Sequence, residues 1–313
     1  MTVDLSVELI APKAGQSGLR LKNPIIAASG TFGYGVEFAG PVDLNRLGGI
    51  VVKGLSAQPM AGAPTPRLCE TASGMLNAVG LQNIGVRAFI AEKLPALRRY
   101  DTAIIANVFG HSVEEYVEVI TQLEDAEGVA AYELNISCPN VKKGGVEFGR
   151  DPQLTGEVVA ASRRNARRRP LIVKLSPNVT DITVLARAAA EAGADALSVV
   201  NTFTGMAIDL ATRRSRLGLP TGGLSGPAIK PLALRMVWET ARAVSIPVIG
   251  IGGITTGEDV AEFLIAGARA VQVGTATFIQ PTATLRILDE FSNFCHTNKI
   301  GQLRELWDSP RID

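Results

Sequence analysis

The segment NISCPN, residues 135–140, brings together side chains that could do chemistry. It follows a run of alternating apolar residues, so a strand is expected to end there. Cys138 lies between two carboxamides, Asn135 and Asn140, and Pro139 stops the strand from continuing. A lone cysteine is often a small buried apolar side chain, whereas a thiol among polar groups can act as an acid or base. The rest of the sequence must decide whether Cys138 is a buried apolar side chain or an acid–base group.

Composition limits the class of protein to which the chain can belong. The sequence has 313 residues, a hydrophobic content of 46% and a formal net charge of +1. This balance argues against a protein that mainly coats nucleic acid or an anionic membrane. The basic segment SRRNARRRP, residues 162–170, is interpreted as a solvated helix end, where cations suit the helix dipole. Since the N-terminus lacks an apolar run of signal or membrane length, we expect one domain over residues 1–313 in the cytoplasm.

Cysteine and histidine are both scarce. Cys69, Cys138 and Cys295 lie far apart, without the C-x-x-C spacing of a metal or iron–sulfur site, and their odd number suits a reducing compartment. No metal site is therefore predicted. With only His111 and His296 in the chain, a histidine general base is not expected.

Short β-branched runs alternate with amphipathic helical patterns along the whole chain. After a hairpin-like opening, LSVEL and LRLK, the apolar runs extend from PIIAAS to AVQVGT. This order predicts a (β/α)8 TIM barrel with an N-terminal β-hairpin and long βα loops after strands 2, 4 and 6. A doubly wound dinucleotide-binding sheet is the alternative, but GIGGIT lacks the G-x-G-x-x-G spacing and belongs to the seventh strand.

Polar or glycine residues fall where the predicted barrel strands end. Catalytic groups of such barrels lie at the carboxyl ends of the strands, and buried polar side chains need a partner or a ligand. Glycines after the last two strands would let backbone N–H groups approach a phosphate, with the positive end of the next helix nearby. A phosphate-bearing cofactor is expected there. The strand-end positions are Ser29, Lys53, Asn107, Asn135, Lys174, Asn201, Gly252, Gly253, Gly274 and Thr275.

A set of motifs extends in order from about Ile25 to Ile279: VKG, GMLNAVGLQN, NISCPN, KLSPN, NTFTGMAID, GGLSGPAIKP, GIGGI and VGTA. Together they resemble dihydroorotate dehydrogenase, the flavin enzyme of pyrimidine biosynthesis. The motifs GMLNAVGLQN and GMAID, and the pair Asn201–Thr202, are similar to the class 1B branch, in which a barrel subunit joins a second subunit.

The resemblance implies a reaction and its chemical groups. Dihydroorotate loses a proton from C5 to a base and a hydride from C6 to N5 of FMN. In soluble class 1 enzymes the base is a cysteine, and Cys138 has that position. The resemblance implies that Lys53 faces the substrate carboxylate and the flavin edge. It places Lys174 at the N1/O2 edge of the flavin, where negative charge develops on reduction.

The resemblance also implies two sets of binding residues. Carboxamides suit orotate because its ring presents both hydrogen-bond donors and acceptors. The substrate set is Lys53, Asn77, Ala78, Val79, Gly80, Leu81, Asn135, Asn140, Asn201 and Thr202. The FMN set is Ser29, Lys53, Gly54, Asn107, Asn135, Lys174, Val200, Gly226, Gly252, Gly253, Gly274 and Thr275.

The class 1B resemblance implies a route for the electrons. NAD+ is reached through a partner subunit that carries FAD and an iron–sulfur cluster, in a heterotetramer built on a homodimer of this chain. The chain itself has no G-x-G-x-x-G unit and no clustered cysteines for that chemistry. Three alternatives stay open: a class 1A enzyme that uses fumarate, a related flavin oxidoreductase for another reduced pyrimidine, and a non-catalytic phosphate-binding barrel.

Overall fold

The computed structural model describes residues 3–137 and 148–308. Its first two strands, β1 (Val7–Ile10) and β2 (Leu19–Leu21), pair as an antiparallel hairpin. The inward residues of both strands are buried, and the hairpin packs against the barrel. The predicted N-terminal β-hairpin is therefore confirmed.

Eight parallel strands close into a barrel, one from each predicted apolar run. Most of their residues are buried, because the strands of a parallel barrel have covered faces on both sides. The ring closes where the last strand pairs with the first. The strands are β3 (Ile25–Ala27), β4 (Gly49–Val51), β7 (Ala103–Val108), β8 (Ala131–Asn135), β9 (Leu171–Lys174), β10 (Ala196–Val199), β15 (Val248–Ile251) and β16 (Ala268–Val273).

Helices follow the barrel strands, and several begin at residues that cap them. The side chains of Ser112, Asp151, Asp181 and Thr256 each accept a hydrogen bond from a backbone N–H in the first turn. No helix in the described ranges has both the length and the apolarity to cross a bilayer. The helices are α1 (Val86–Ala88), α2 (Leu94–Leu97), α3 (Val113–Glu124), α4 (Pro152–Asn165), α5 (Ile182–Glu191), α6 (Lys230–Ala243), α7 (Gly257–Ile265), α8 (Ala276–Ile279), α9 (Ala283–Thr297) and α10 (Arg304–Trp307), with a π-helical segment, Phe89–Lys93, between α1 and α2.

Two of the long loops pair with each other, which was not predicted. The loop after the second barrel strand forms β5 (Leu68–Thr71) and β6 (Gly74–Asn77). The loop after the sixth forms β11 (Phe203–Gly205) and β14 (Gly222–Ser225), and the four strands make one sheet in the order β11–β14–β6–β5. A small hairpin, β12 (Ile208–Asp209) and β13 (Arg214–Ser215), extends from the same loop.

The basic segment 162–170 is a solvated helix end only in part: Arg164, Arg167 and Arg168 are exposed at and after the end of α4, but Arg163 and Arg169 are not. Arg163 donates to Asp195 at 2.6 Å, and the side chain of Asp195 is only 3% exposed. Lys13, beyond the hairpin strand β1, reaches the same carboxylate at 2.7 Å. Arg169 is 12% exposed and donates to the hydroxyl of Tyr132 at 2.8 Å. Arg163 thus connects α4 to the start of β10, and Arg169 connects the segment after α4 to β8. Both side chains bind acceptors at the amino-terminal end of the barrel instead of extending into solvent.

Candidate active site

A cavity of about 550 Å³ opens at the carboxyl ends of the barrel strands, bordered by the sheet of paired loops. Every predicted site residue within the described ranges lines it. They are Ser29, Lys53, Gly54, Asn77, Ala78, Val79, Gly80, Leu81, Asn107, Asn135, Lys174, Val200, Asn201, Thr202, Gly226, Gly252, Gly253, Gly274 and Thr275. Cys138 and Asn140 lie outside the described residues, and Ser137, the last described residue before them, also lines the cavity.

Carboxamides form one wall of the cavity. Asn201 donates from Nδ2 to Oδ1 of Asn135 at 3.3 Å, and its own Oδ1 accepts from the backbone N–H of Thr202 at 2.8 Å. On the loop sheet, Asn77 donates to the carbonyl of Gly223 at 3.2 Å. Within residues 3–137 and 148–308, Nδ2 of Asn135 and Oδ1 of Asn77 have no hydrogen-bond partner. The wall can therefore offer a planar ligand both a donor and an acceptor.

Lys53, after β4, is a partly buried cation at the edge of the cavity. Burial lowers the pKa of its ammonium below the usual 10.5, and the nearby charge of Arg67 lowers it further. No acidic side chain in the described part of the chain forms an ion pair with it. A partly buried ammonium without a counter-charge favours an anionic ligand, which agrees with the predicted contact to a carboxylate.

Lys174, the last residue of β9, is a second buried cation. Its side chain is 8% exposed, and its Nζ lies 3.9 Å from Oε1 of Glu133, a fully buried carboxylate in β8. Asn107 donates to the same oxygen at 2.8 Å. This leaves Oδ1 of Asn107 buried and without a partner among the described residues. Such an acceptor at the cavity wall suits a ligand N–H group.

The glycines after the seventh barrel strand have conformations that side chains would not allow. Gly252 and Gly253 have φ of 130° and 72°. A Cβ would lie 2.7 Å from Cβ of Ala233 at the first position and 2.7 Å from Cβ of Lys230 at the second. The positive φ angles and the packing against α6 therefore require glycine at both positions.

The next helix contributes less than was predicted. Helix α7 begins only at Gly257, and Thr256 and Asp259 form a capping box over its first turn. Asp259 also accepts from the backbone N–H groups of Thr255 and Thr256, at 2.7 and 2.9 Å. Because these donors are satisfied from within the chain, an anion in the cavity would be held by the glycine backbone.

Two polar residues, one in the cavity wall and one buried behind it, were missed in the sequence. Asn178 lines the cavity, donates to the carbonyl of Thr202 at 3.1 Å and accepts from the N–H of Thr204 at 2.8 Å. Its signal was present, because it is the last residue of KLSPN. Glu133 was missed because it stands inside an apolar strand pattern, between Tyr132 and Leu134.

Comparison with known proteins identifies the family. The family model for dihydroorotate dehydrogenase matches residues 13–295. A relative from Solibacter usitatus, named "Putative dihydroorotate dehydrogenase A (fumarate)", is 63% identical over 289 residues, which are 92% of this chain and 95% of the relative. A relative from Pelobacter propionicus, named "Dihydroorotate dehydrogenase B (NAD(+)), catalytic subunit", is 56% identical over 306 residues, 98% of each chain. Relatives from Geobacter and allied genera have the second name at 55–56% identity.

The fold has a counterpart among solved structures. A crystal structure of DHODH in complex with ferulenol from Eimeria tenella aligns with a TM-score of 0.79 over 97% of this chain and 88% of that chain. At 22% identity this likeness shows the fold alone.

A (β/α)8 barrel with a polar cavity at its carboxyl end is the architecture of a large class of enzymes. Within that class, the chain belongs to the dihydroorotate dehydrogenase family. The predicted fold, family and activity, oxidation of dihydroorotate in pyrimidine biosynthesis, are confirmed. Enzymes of this family are in general flavin-dependent. The relatives named for NAD+ support the predicted class 1B, whereas the Solibacter relative has the fumarate name.

Proposed function

We propose that the chain oxidises dihydroorotate to orotate with FMN as cofactor and Cys138 as the base, within one barrel domain over residues 1–313. The observation that carries the proposal is the convergence of all described site residues on one cavity. The family match supplies the reaction, and the cavity supplies the groups that the reaction needs. FMN, when bound, accepts the hydride that leaves C6 of the substrate.

The residues of the cavity fit FMN by their chemistry. A flavin ring presents N–H groups and carbonyl oxygens, and the cavity wall holds the unpartnered acceptor Oδ1 of Asn107 and the buried ammonium of Lys174. A phosphate needs close N–H donors, and glycines that line the cavity can offer their backbone N–H groups. The residues proposed to hold FMN are Ser29, Lys53, Gly54, Asn107, Asn135, Lys174, Val200, Gly226, Gly252, Gly253, Gly274 and Thr275.

The substrate is proposed to lie between Lys53 and the carboxamides. The ammonium of Lys53 binds the carboxylate of dihydroorotate, and the amides bind the ring. The backbone of residues 77–81, which enters the cavity from the loop sheet, gives further contacts. The residues proposed for the substrate are Lys53, Asn77, Ala78, Val79, Gly80, Leu81, Asn135, Asn140, Asn201 and Thr202.

Cys138 is proposed as the base because the resemblance to soluble class 1 enzymes gives that role to the cysteine of the NISCPN motif. Among the described residues that line the cavity there is no histidine, aspartate, glutamate, cysteine or tyrosine. His111 is paired with Glu115 at 3.0 Å, at the start of α3. A thiol with an ordinary pKa of about 8.5 is a workable base near neutral pH once it is positioned against C5. Its Sγ then takes the C5 proton.

NAD+ is proposed as the final acceptor, through a partner subunit with FAD and an iron–sulfur cluster. Relatives that match over nearly their full length are named NAD(+) catalytic subunits, which implies a second subunit for them. In the described ranges no group of three or more His, Cys, Asp or Glu could hold a metal ion. The proposed assembly is a cytoplasmic heterotetramer of two copies of each subunit. The name of the Solibacter relative favours fumarate as the second candidate acceptor.

One anaerobic experiment tests the reaction. The purified chain is loaded with FMN and mixed with dihydroorotate, and loss of the oxidised flavin absorbance is followed. Bleaching is expected, and its absence would overturn the proposal.

A second experiment tests the acceptor. Turnover with dihydroorotate is measured with the isolated chain and either NAD+ or fumarate. The isolated chain should reduce dyes but scarcely reduce NAD+. Rapid reduction of NAD+ by the chain alone would contradict the need for a partner, and efficient turnover with fumarate would assign the chain to class 1A.

A further inference from the structure

A buried polar cluster lies inside the barrel, and the residue at its centre has no part in the reaction described above. At its centre is Glu133, in the middle of β8, which is 0% exposed. It lies two residues before Asn135, so it is one layer deeper in the barrel than the cavity wall. A carboxylate at this depth needs charged or polar partners to offset the loss of water.

Three neutral side chains donate to this carboxylate from three other strands. Asn107 of β7 reaches Oε1 at 2.8 Å. Ser198 of β10 and Gln272 of β16 reach Oε2, at 2.7 and 2.5 Å. The carboxylate therefore accepts from both oxygens, as an ionised group does. Its donors are arranged around the inside of the ring, and only Asn107 among them lines the cavity.

Lys174 supplies the charge that faces Glu133. Its Nζ lies 3.9 Å from Oε1, the oxygen that also accepts from Asn107. Both cavity residues next to Glu133 are thus in contact with one oxygen of one buried carboxylate. Because the two groups are close together and buried, both charges contribute to the electrostatic potential at the adjacent cavity wall, with opposite signs.

We propose that Glu133 is a positioning residue that sets the reduction potential of the bound flavin through Lys174 and Asn107. Its charge offsets part of the Lys174 charge, so the reduced, more negative flavin is stabilised less than Lys174 alone would stabilise it. Its Oε1 holds Nδ2 of Asn107 and thereby leaves Oδ1 as the acceptor for the ligand. The inference rests on the proposed function, because it takes Lys174 to lie beside the flavin.

The sign of the effect separates this role from a merely structural one. If Glu133 only supported the packing of Lys174, its loss would let the ammonium drift, and the flavin would become harder to reduce. If Glu133 offsets the Lys174 charge, its neutralisation makes the flavin easier to reduce. The reduction potential therefore moves in opposite directions in the two cases.

The test is the midpoint potential of bound FMN in Glu133→Gln, which keeps the shape and removes the charge. Binding of reduced relative to oxidised flavin should strengthen about tenfold, which for a two-electron couple is a rise of about 30 mV. The matched control is Glu124→Gln, a second buried carboxylate, whose Oε1 accepts from Tyr132 at 2.8 Å near the amino-terminal end of β8. The control should keep the potential of the native protein.

A second variant covers the case in which Glu133→Gln does not fold or does not bind FMN. Ser198→Ala keeps the carboxylate and removes the hydroxyl dipole that points its proton at Oε2. The field of Glu133 at the flavin is then less screened, so the potential should fall. A potential equal to or above that of the native protein would count against the proposal.

Lys174→Ala separates the inference from the proposed function. The flavin potential should fall in this variant, because the anionic reduced form loses its counter-charge. If the native protein does not bind FMN, or dihydroorotate does not reduce it, the proposed function fails. If both hold and Glu133→Gln has an unchanged or lower potential, only the inference about Glu133 is overturned.

Discussion

Asn201 donates a hydrogen bond to Asn135 across the end of a strand that neither residue belongs to. Asn135 ends β8 and Asn201 follows β10, whereas β9 lies between those strands and ends at Lys174. The register places Lys174 opposite Asn135 on one side and Ser198 on the other. The hydrogen bond between the two carboxamides therefore spans the strand that ends in the buried cation Lys174. Two residues proposed to bind the substrate are thus next to a residue proposed to bind the cofactor.

Asn201→Ala should weaken orotate binding and leave FMN bound. The variant loses the Asn201 contacts to the ligand, and it frees Asn135 from the 3.3 Å hydrogen bond that orients it. With about 1.4 kcal/mol lost, the Kd of orotate should rise about tenfold. Titration of the flavin absorbance with orotate measures it. Asn165→Ala, at the end of α4, is the matched control and should bind orotate as the native protein does. Equal affinity in the two variants would remove Asn201 from the substrate site.

Cys138→Ser should bind FMN and orotate but be reduced slowly by dihydroorotate. A serine hydroxyl is too weak an acid to take over from the thiol, and the described cavity wall has no histidine to assist it. The rate of flavin reduction in anaerobic stopped flow should fall by about 10²–10⁴-fold. In the native protein this rate should increase as the pH rises toward the ordinary thiol pKa of about 8.5. An unchanged rate in the variant would show that another group is the base.

Orotate binding should weaken as the pH rises through the pKa of Lys53. Burial and the charge of Arg67 lower that pKa from 10.5, and only the protonated ammonium attracts the carboxylate, so the loss of affinity should begin below 10.5. Lys53→Met should bind orotate about 10–100-fold more weakly at neutral pH, since a hydrogen bond to a charged group contributes about 1.5–3 kcal/mol.

The comparison of variants isolates the titration of Lys53 in this experiment. Orotate itself titrates in the same way with the native protein and with Lys53→Met. The difference between their pH profiles of orotate affinity therefore reports the titration of Lys53. Lys53→Arg stays charged over the whole pH range, so the pH profile of its orotate affinity should be parallel to that of Lys53→Met. If the native protein and Lys53→Met have parallel profiles, Lys53 does not bind the carboxylate.

Asp195→Ala should destabilise the fold without altering the site. The carboxylate is 3% exposed and receives Arg163, which is 21% exposed, at the end of the barrel opposite the cavity. Its removal leaves a mostly buried guanidinium without its counter-charge, which typically costs about 3–5 kcal/mol. Lys13→Ala removes a partner that is 62% exposed and should cost about 0–1 kcal/mol. Urea unfolding measures both, and similar costs for the two variants would contradict this account.

The barrel was predictable because its strands are apolar runs that alternate with helical patterns. Each predicted run overlaps one of the eight barrel strands, and the polar residues that follow them meet at one rim because parallel strands point the same way. Family motifs added residues that no periodicity indicates, such as Gly226, whose φ of 93° suits glycine.

Features that depend on distant partners were not predictable. The pairing of Gly222–Ser225 with Gly74–Asn77 joins two short segments about 150 positions apart, GGLS and GMLN, and neither has a strand pattern of its own. Arg163 and Arg169 were misinterpreted because helix position alone does not reveal a buried acceptor such as Asp195. Glu133 belongs to the strand run YELN. A period-2 pattern assigns each residue of the run to one face of the strand, but it cannot show that Ser198 and Gln272 donate hydrogen bonds to the Glu133 carboxylate.

The shared sheet limits how the loops of this barrel can be exchanged. In many barrels of this type, each loop can be replaced independently, because each one contacts mainly its own strand and helix. Here Asn77 and Gly223 are opposite each other in the β6–β14 ladder, and a Cβ at Gly223 would collide with the side chain of Thr202. If only one of these two loops were replaced by that of a relative, its strand would not match the partner strand in the shared sheet. The loops after the second and sixth barrel strands must therefore be exchanged together.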